Sequence, residues 1–315
     1  MIYIKNTTEF QIPDDTVVSL GKFDGMHRGH GRLMEYLEEK KKSGLKTVIF
    51  TFDIPPKQRI EGRSQSKVLT TNEERMQMFA RQQTDYLLEC PFTPEIMKME
   101  PEAFVEWLVE RLHVKSFVVG TDFRFGYNRK GDYRLLKMLA DAYGYEVEVV
   151  HKVQEDGRDI SSTFIREEIL AGRMEKANRL LGYCYFVQGI VAHGNEIGRS
   201  LLHMPTANLL PAEEKLLPPC GVYVTRTSIE SRPGNEFGGI TNVGKKPTIA
   251  GSHPIGVETH LFDFDGRIYG EKIKVEFLTM VRGEKKFDSL EKLKEQMYKD
   301  REFGIKYYAN ITNIC

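Results

Sequence analysis

The sequence predicts two domains: a Rossmann-like parallel α/β sheet in the first half, then an antiparallel β-barrel with a C-terminal helix. Three observations carry this. Short apolar runs alternate with helical patterns through the first half, and strands alternating with helices make a parallel sheet covered on both faces. From near Gly182 the chain turns into strand candidates split by Gly, Pro and Asn turns, the spacing of an antiparallel barrel. Within the first half, residues 17–30 join an apolar strand, a glycine-rich turn and a helix start. There the free N–H groups and positive end of a helix face an anion.

The elements follow in order. Val17, Val18 and Leu20 make a short buried strand, Gly21 and Gly25 turn the chain, and a helix begins near Gly29 with Leu33, Met34 and Leu37 on one side. Residues 47–52 form a second strand, 72–81 a helix with Met76 and Phe79 inward, and 86–88 a third strand. Pro101 opens a helix through Leu112, since proline suits the first helical turn. A fourth strand at 116–119, a helix at 133–142 and a fifth strand at 147–150 complete the half. Ligands of such sheets bind beyond the carboxyl ends of the strands, where the turn after Leu20 lies.

The second half gives strands at 186–192, 222–227, 239–243, 257–264 and 273–281. Ile273, Val275, Phe277, Thr279 and Val281 alternate with Lys274 and Glu276, a half-buried pattern. In 257–264, alternation puts Glu258, His260, Phe262 and Phe264 on one face, and Val257, Thr259 and Leu261 on the other. Asp288 is placed to cap a closing helix with Leu290, Leu293 and Met297 inward. The expected domains are therefore residues 1–182 and 183–315.

Composition narrows the function. Basic and acidic residues balance at 45 each, so no net field draws the chain to nucleic acid or to an anionic membrane. The N-terminus has no secretory apolar core and no apolar run reaches spanning length, so the expectation is a cytoplasmic protein without a membrane segment. Cys90, Cys184, Cys220 and Cys315 are scattered and read as reduced thiols, not as a disulfide or zinc framework.

Three stretches carry chemistry. His27 and His30 stand three residues apart where the first helix starts, and on a helical turn both can donate to one polyphosphate. Capping is an equal reading of His-Arg-Gly-His alone, and a half-built metal site a minor one. The whole string Gly21-x-Phe23-Asp24-Gly25-x-His27-x-Gly29-His30 resembles the nucleotidyltransferase superfamily that transfers AMP or CMP onto a phosphate. It is neither the dinucleotide fingerprint nor a Walker loop. Residues 120–132 place Asp122, Phe123 and Phe125 after the fourth strand, suiting a planar aromatic ligand or, equally, a buried aromatic anchor. Ser161, Ser162 and Thr163 supply hydroxyls to cap a helix, with Arg166 one turn in. That is an N-cap, or a grip on a triphosphate.

Taken together, these motifs resemble the bacterial bifunctional riboflavin kinases/FMN adenylyltransferases, the FAD synthetases of prokaryotes. In the second half, Pro205-Thr206-Ala207-Asn208-Leu209, Gly221-Val222-Tyr223, residues 242–248, residues 257–261 and Arg282-Gly283-Glu284-Lys285-Lys286-Phe287 are similar to the riboflavin kinase module. The resemblance implies a nucleotidyltransferase domain followed by a riboflavin kinase barrel. It implies phosphorylation of riboflavin to FMN by ATP, then adenylylation of FMN to FAD with release of pyrophosphate. Riboflavin, FMN, FAD and ATP are the implied partners, with Mg²⁺ as cofactor.

By the same resemblance Gly21, Phe23, Asp24, His27, His30, Ser162 and Arg166 bind ATP for the adenylyl step, with His27 and His30 in catalysis. Asp122, Phe123 and Phe125 line its flavin pocket. In the kinase half Gly198, Arg199, Thr206 and Asn208 take ATP, Thr206 and Asn208 hold the magnesium, Glu258 is the base, and Arg282 and Glu284 hold flavin.

The chain departs from the family pattern twice. Pro55 stands where a histidine is usual, with Lys57 as a substitute contact nearby. Ser200 to Met204 separate Arg199 from Pro205, one residue more than usual beside the kinase nucleotide site. A second reading is thus an adenylyltransferase whose kinase half is weak or only binds flavin. A third, a flavin-sensing protein without catalysis, is opposed by His27, His30, Arg166 and Glu258.

Overall fold

The structure, a computed structural model, describes residues 1–53, 67–192, 206–245 and 255–310. The chain divides into two compact units, Met1–Ser162 and Thr163–Cys315.

The first unit holds β1 (Ile2–Lys5), β2 (Thr16–Leu20), α1 (Arg28–Lys42), β3 (Lys46–Phe52), α2 (Asn72–Arg81), β4 (Tyr86–Cys90), α3 (Pro94–Met97), α4 (Pro101–Leu112) and β5 (Val114–Gly120). A two-stranded ribbon, β6 (Arg124–Phe125) and β7 (Gly131–Asp132), precedes α5 (Tyr133–Tyr143) and β8 (Glu146–Val150), and a small hairpin of β9 (Gln154–Glu155) and β10 (Arg158–Asp159) follows. Six strands form one sheet in the order β1-β4-β3-β2-β5-β8, every pair parallel. All five residues of β2 are buried, as a central parallel strand requires. Phe50, Phe104 and Phe117 fill the layer between sheet and helices, each burial contributing roughly 2–3 kcal/mol. From β2 the chain builds outward through β3 and β4 on one side, then β5 and β8 on the other. The strand order therefore reverses between β2 and β5, and the crevice beyond their carboxyl ends is where such sheets take ligands.

Local chemistry fixes the helix ends. Thr71 and Glu74 make a reciprocal capping box at the start of α2, and Pro101 occupies the first turn of α4. Both helices span the residues that the sequence predicts.

In the second unit, α6 (Ser162–Leu170) and α7 (Met174–Leu181) lead to the barrel. Its strands are β11 (Phe186–Ala192), β12 (Ala207–Leu209), β13 (Gly221–Ile229), β14 (Glu236–Lys245), β15 (Ile255–Leu261) and β16 (Lys272–Gly283), and α8 (Leu290–Ala309) follows. They close in the order β11-β12-β15-β14-β13-β16. The buried Asn178 of α7 donates to the Phe277 carbonyl and accepts from the Tyr185 N–H, both at 2.8 Å. Thus α7 is pinned to β16, whereas the change in sequence pattern comes only after it, at Gly182.

Three expectations need correction. Ser289, not Asp288, caps α8, and Leu290 is 45% exposed. The helix sits so close to the barrel that its buried positions are Asp300 and Gly304. A Cβ on Gly304 would lie 2.6 Å from Ile240 Cδ1 and 2.8 Å from the Phe262 ring. Second, β15 ends at Leu261 and Asp263 adopts a left-handed φ of 51°, so the strand stops short of Phe264, while the Phe262 ring stays 6.3 Å from His260. Third, Cys90 and Cys220 are free, but Cys184 is disulfide-bonded. No described helix is long and apolar enough to cross a membrane.

Candidate active sites

The turn after β2 is held in an unusual shape. Phe23, Gly25 and Met26 have left-handed φ values of 50°, 86° and 40°. Such a conformation costs a non-glycine residue on the order of 1–3 kcal/mol and persists only where surroundings enforce it. The enforcement is visible. Phe23 is buried edge-on against Phe79, ring centres 5.4 Å apart. The Asp24 carboxylate accepts from the amides of Leu69 at 2.8 Å and Thr70 at 3.2 Å, and Thr70 Oγ1 accepts from the Gly25 N–H at 3.0 Å. Ser162 Oγ donates to the Asp24 carbonyl at 2.8 Å. Asp24 and Ser162 therefore brace the turn from outside. Arg166 follows Ser162 by one turn of α6.

His27 is the N-cap of α1, yet its side chain makes no capping hydrogen bond. No side chain of the described residues caps the helix start at His27. Its imidazole stacks on that of His30 with centroids 3.8 Å apart, and His30 leans on Phe23 at 5.1 Å. A Cβ on Gly29 would come within 3.1 Å of the His27 ring, which accounts for glycine between the histidines. Nδ1 of both rings is enclosed without a hydrogen-bond partner among the described residues. Two orphaned polar atoms side by side are costly. Among the described residues no group of three or more His, Cys, Asp or Glu could hold a metal ion.

Burial pushes His27 down to about 4, while burial and the neighbouring His27 hold His30 well below the ordinary value. Both are neutral at pH 7, each ring carrying one N–H beside the positive end of α1. Stability is linked to this. With a folded pKa below the unfolded 6.5, the unfolded chain takes up protons first as pH falls. The contribution is complete above 6.5 and is lost as pH falls toward 4. By pH 5 the loss for His27 alone is about 2 kcal/mol, and His30 adds in the same direction. Denaturant titrations at pH 7.5 and pH 5 should show a larger acid loss for the wild type than for His27→Gln/His30→Gln. Equal losses would contradict the assignment.

Beyond β5, Phe123 and Phe125 stack at 5.4 Å. Phe125 is the buried anchor, 5.9 Å from Phe104. It lies so near Gly131 that a Cβ there would be 2.7 Å from its ring. Phe123 is half-buried and Asp122 exposed, the carboxylate 3.1 Å from Lys152 Nζ. Of the three, Phe123 and Asp122 face outward enough to meet a ligand.

The barrel has two distinct faces. Thr225, Thr241 and Thr259 are fully buried, their hydroxyls linked in a chain of 2.7 Å contacts. On the opposite face the register sets Asn208 opposite Glu258, Glu258 opposite Asn242, Asn242 opposite Val222 and Val222 opposite Arg282. Directly opposed residues have Cβ atoms about 4.5–5.5 Å apart, so Asn208, Glu258 and Asn242 form one transverse row. Asn208 is buried and Glu258 half-buried, with Thr206 just ahead of β12. Arg282 is gripped by the buried Asp300 of α8, Nε and Nη2 donating at 3.0 and 2.8 Å. Gln296 holds Asp300 from the other side at 2.8 Å. Glu284 is exposed, its carboxylate near Gly244. Gly198, Arg199, Pro55, Lys57 and the five residues before Pro205 lie outside the described residues.

Sequence reasoning missed Asp300 and the group of buried Arg75 and Glu89 with half-buried Tyr3. Arg75 Nη1 donates to the Lys22 carbonyl at 2.8 Å, Arg75 Nη2 lies 3.5 Å from Glu89, and the Tyr3 hydroxyl donates to Glu89 at 3.1 Å. The sequence pattern of α2 singles out Met76 and Phe79 as inward, whereas the fold also buries Glu74 and Arg75.

The FAD synthetase family model matches residues 9–164 and the riboflavin kinase family model residues 181–308. A Bacillus subtilis bifunctional riboflavin kinase/FMN adenylyltransferase is 33% identical, covering 94% of this chain and 93% of its own. The Haemophilus influenzae protein of the same name is 34% identical, covering 92% and 94%. A Streptococcus pneumoniae crystal structure, named as a macrolide-efflux protein, is 32% identical with a TM-score of 0.87, covering 99% of both chains. That likeness carries the fold and not the name. With both domains matched in order and relatives aligned over nearly its whole length, the chain belongs to the bifunctional riboflavin kinase/FMN adenylyltransferase family.

Proposed function

We propose that residues 1–182 transfer AMP from ATP to FMN and that residues 183–315 phosphorylate riboflavin, both in the cytoplasm. The observation that carries the adenylyl half is the stacked His27–His30 pair with enclosed Nδ1 atoms that lack a hydrogen-bond partner among the described residues, at a helix start without a side-chain cap. A phosphate oxygen of FMN attacks the α-phosphorus of ATP, the bond to the bridging oxygen breaks, and pyrophosphate leaves. No covalent enzyme intermediate is needed. The two imidazoles and the amides of α1 stabilise charge as it shifts onto the leaving group, with Arg166 as a further grip on the triphosphate. Phe123 and Asp122 supply a ring face and a polar edge for the flavin.

In the kinase half Glu258 accepts the proton of the ribityl hydroxyl as its oxygen attacks the γ-phosphorus and ADP departs. The Thr206 hydroxyl and the Asn208 amide oxygen are hard donors of the kind magnesium takes while relying on phosphates for other ligands. Bound there with ATP, magnesium would neutralise phosphate charge. Arg282, oriented by Asp300, and Glu284 border the flavin.

One incubation of the full chain with riboflavin, ATP and Mg²⁺, with flavins separated by chromatography, tests this. FAD should accumulate. Unreacted riboflavin, with added FMN still converted to FAD, would restrict the chain to adenylyl transfer. No conversion of either flavin would overturn both roles.

A further inference from the structure

We propose that Arg75 is a positioning residue for adenylyl transfer, holding the phosphate turn in its binding shape through the Lys22 carbonyl. The inference rests on the reading of that turn as the ATP site. Arg75 is only 5% exposed and Glu89 7% exposed. The guanidinium is divided between three acceptors: the Lys22 carbonyl at 2.8 Å, Asn72 Oδ1 at 2.9 Å and Glu89 at 3.5 Å. The strongest contact by distance is thus the one to the turn, not the ion pair.

Stability alone does not explain such a group. A buried ion pair is often no better than apolar residues of the same volume. Here the pair lies directly behind a turn with left-handed Phe23 and Met26. Asp24 ties that turn to residues 69 and 70 on one side, and Arg75 ties it to α2 at the residue before Phe23. Both ties start from the segment that runs into α2, so it works as a splint for the turn. Released, the turn would populate other shapes. A ligand that selects a minor shape binds with its affinity reduced by the fraction populated. The signature is a raised KM for ATP at nearly constant kcat, because saturating ATP restores the competent turn.

The test compares two variants of the full chain in FAD formation from added FMN. Glu89→Gln breaks the ion pair but leaves Arg75 on the Lys22 carbonyl. Arg75→Met/Glu89→Gln removes the splint without stranding a buried charge. We expect the double variant to raise KM for ATP about tenfold, with kcat and KM for FMN within about threefold of wild type, and Glu89→Gln to leave KM for ATP unchanged. Equal KM values for ATP in both variants, whatever their melting temperatures, would reduce Arg75 to a structural residue. So would a fall in kcat at constant KM. If the double variant does not melt cooperatively, Arg75→Gln/Glu89→Gln decides: its shorter neutral side chain gives up the guanidinium bond to the Lys22 carbonyl while keeping a polar group in place, and an unchanged KM for ATP overturns the proposal. Wild-type conversion of FMN to FAD checks the underlying reading separately, since its absence would remove the ATP site before Arg75 is at issue.

Discussion

His30→Ala is expected to slow FAD formation from added FMN by about a hundredfold or more, with riboflavin phosphorylation unchanged. Removing one preorganised donor from a site of developing charge costs about 3–4 kcal/mol in the barrier, and each 1.4 kcal/mol is roughly tenfold in rate. The geometry adds a complication. The ring stacks on His27 and touches Phe23, so alanine also removes packing and should lower the melting temperature somewhat. His30→Gln separates the two effects. Its amide keeps an N–H donor near the same place but loses the same aromatic stack. If the donor matters, glutamine recovers part of the adenylyl rate at a melting temperature close to that of alanine. If both variants transfer AMP within a few-fold of wild type, His30 is packing for Phe23 and nothing more.

Legibility in the sequence followed how far apart in the chain the cooperating residues lie. The turn from Gly21 to His30 is contiguous, so its glycines, its histidines and the strand before it could be read together. Helices α2 and α4 were legible because their ends carry their own chemistry, the Thr71–Glu74 box and Pro101. Strand β1 has only half-buried and exposed residues at the sheet edge, and β12 is three residues long. Neither is long or periodic enough to declare itself. The reach of the second unit back to α6 and α7 was hidden for a different reason. Asn178 meets Phe277 across 99 residues, and nothing local to α7 announces it. Arg75 with Glu89 and Tyr3, and Arg282 with Asp300, are likewise assembled from distant pieces. A charged residue buried by such an assembly looks in the sequence like any solvated one. Phe125 shows the limit from the other side. Ligand wall and buried anchor suited its sequence equally, and the close approach of Gly131 shows it packed as an anchor.

Glu258→Gln should cost roughly a hundredfold to ten-thousandfold in FMN formation, the usual worth of a positioned general base, while FAD synthesis from added FMN stays intact. The two faces of the barrel separate these roles. Val257, Thr259 and Leu261 are buried, and Thr259 joins the inner chain of hydroxyls with Thr241. The half-buried Glu258 projects from the opposite face, in one row with Asn208 and Asn242. The barrel interior therefore does not depend on it. A carboxylate in that row, beside the buried amide of Asn208, can face a substrate hydroxyl and a nucleotide at once. Glutamine preserves size and hydrogen bonding but accepts no proton. A base and a structural residue consequently part on substitution. Loss of the base leaves the melting curve near wild type and removes riboflavin phosphorylation. Loss of a structural glutamate lowers the melting temperature and reduces kinase activity only in proportion. The deciding pair of measurements is the riboflavin phosphorylation rate and the melting curve of Glu258→Gln. A well-folded variant with a near-normal kinase rate would take Glu258 out of the mechanism, and the proton would have to leave by another route.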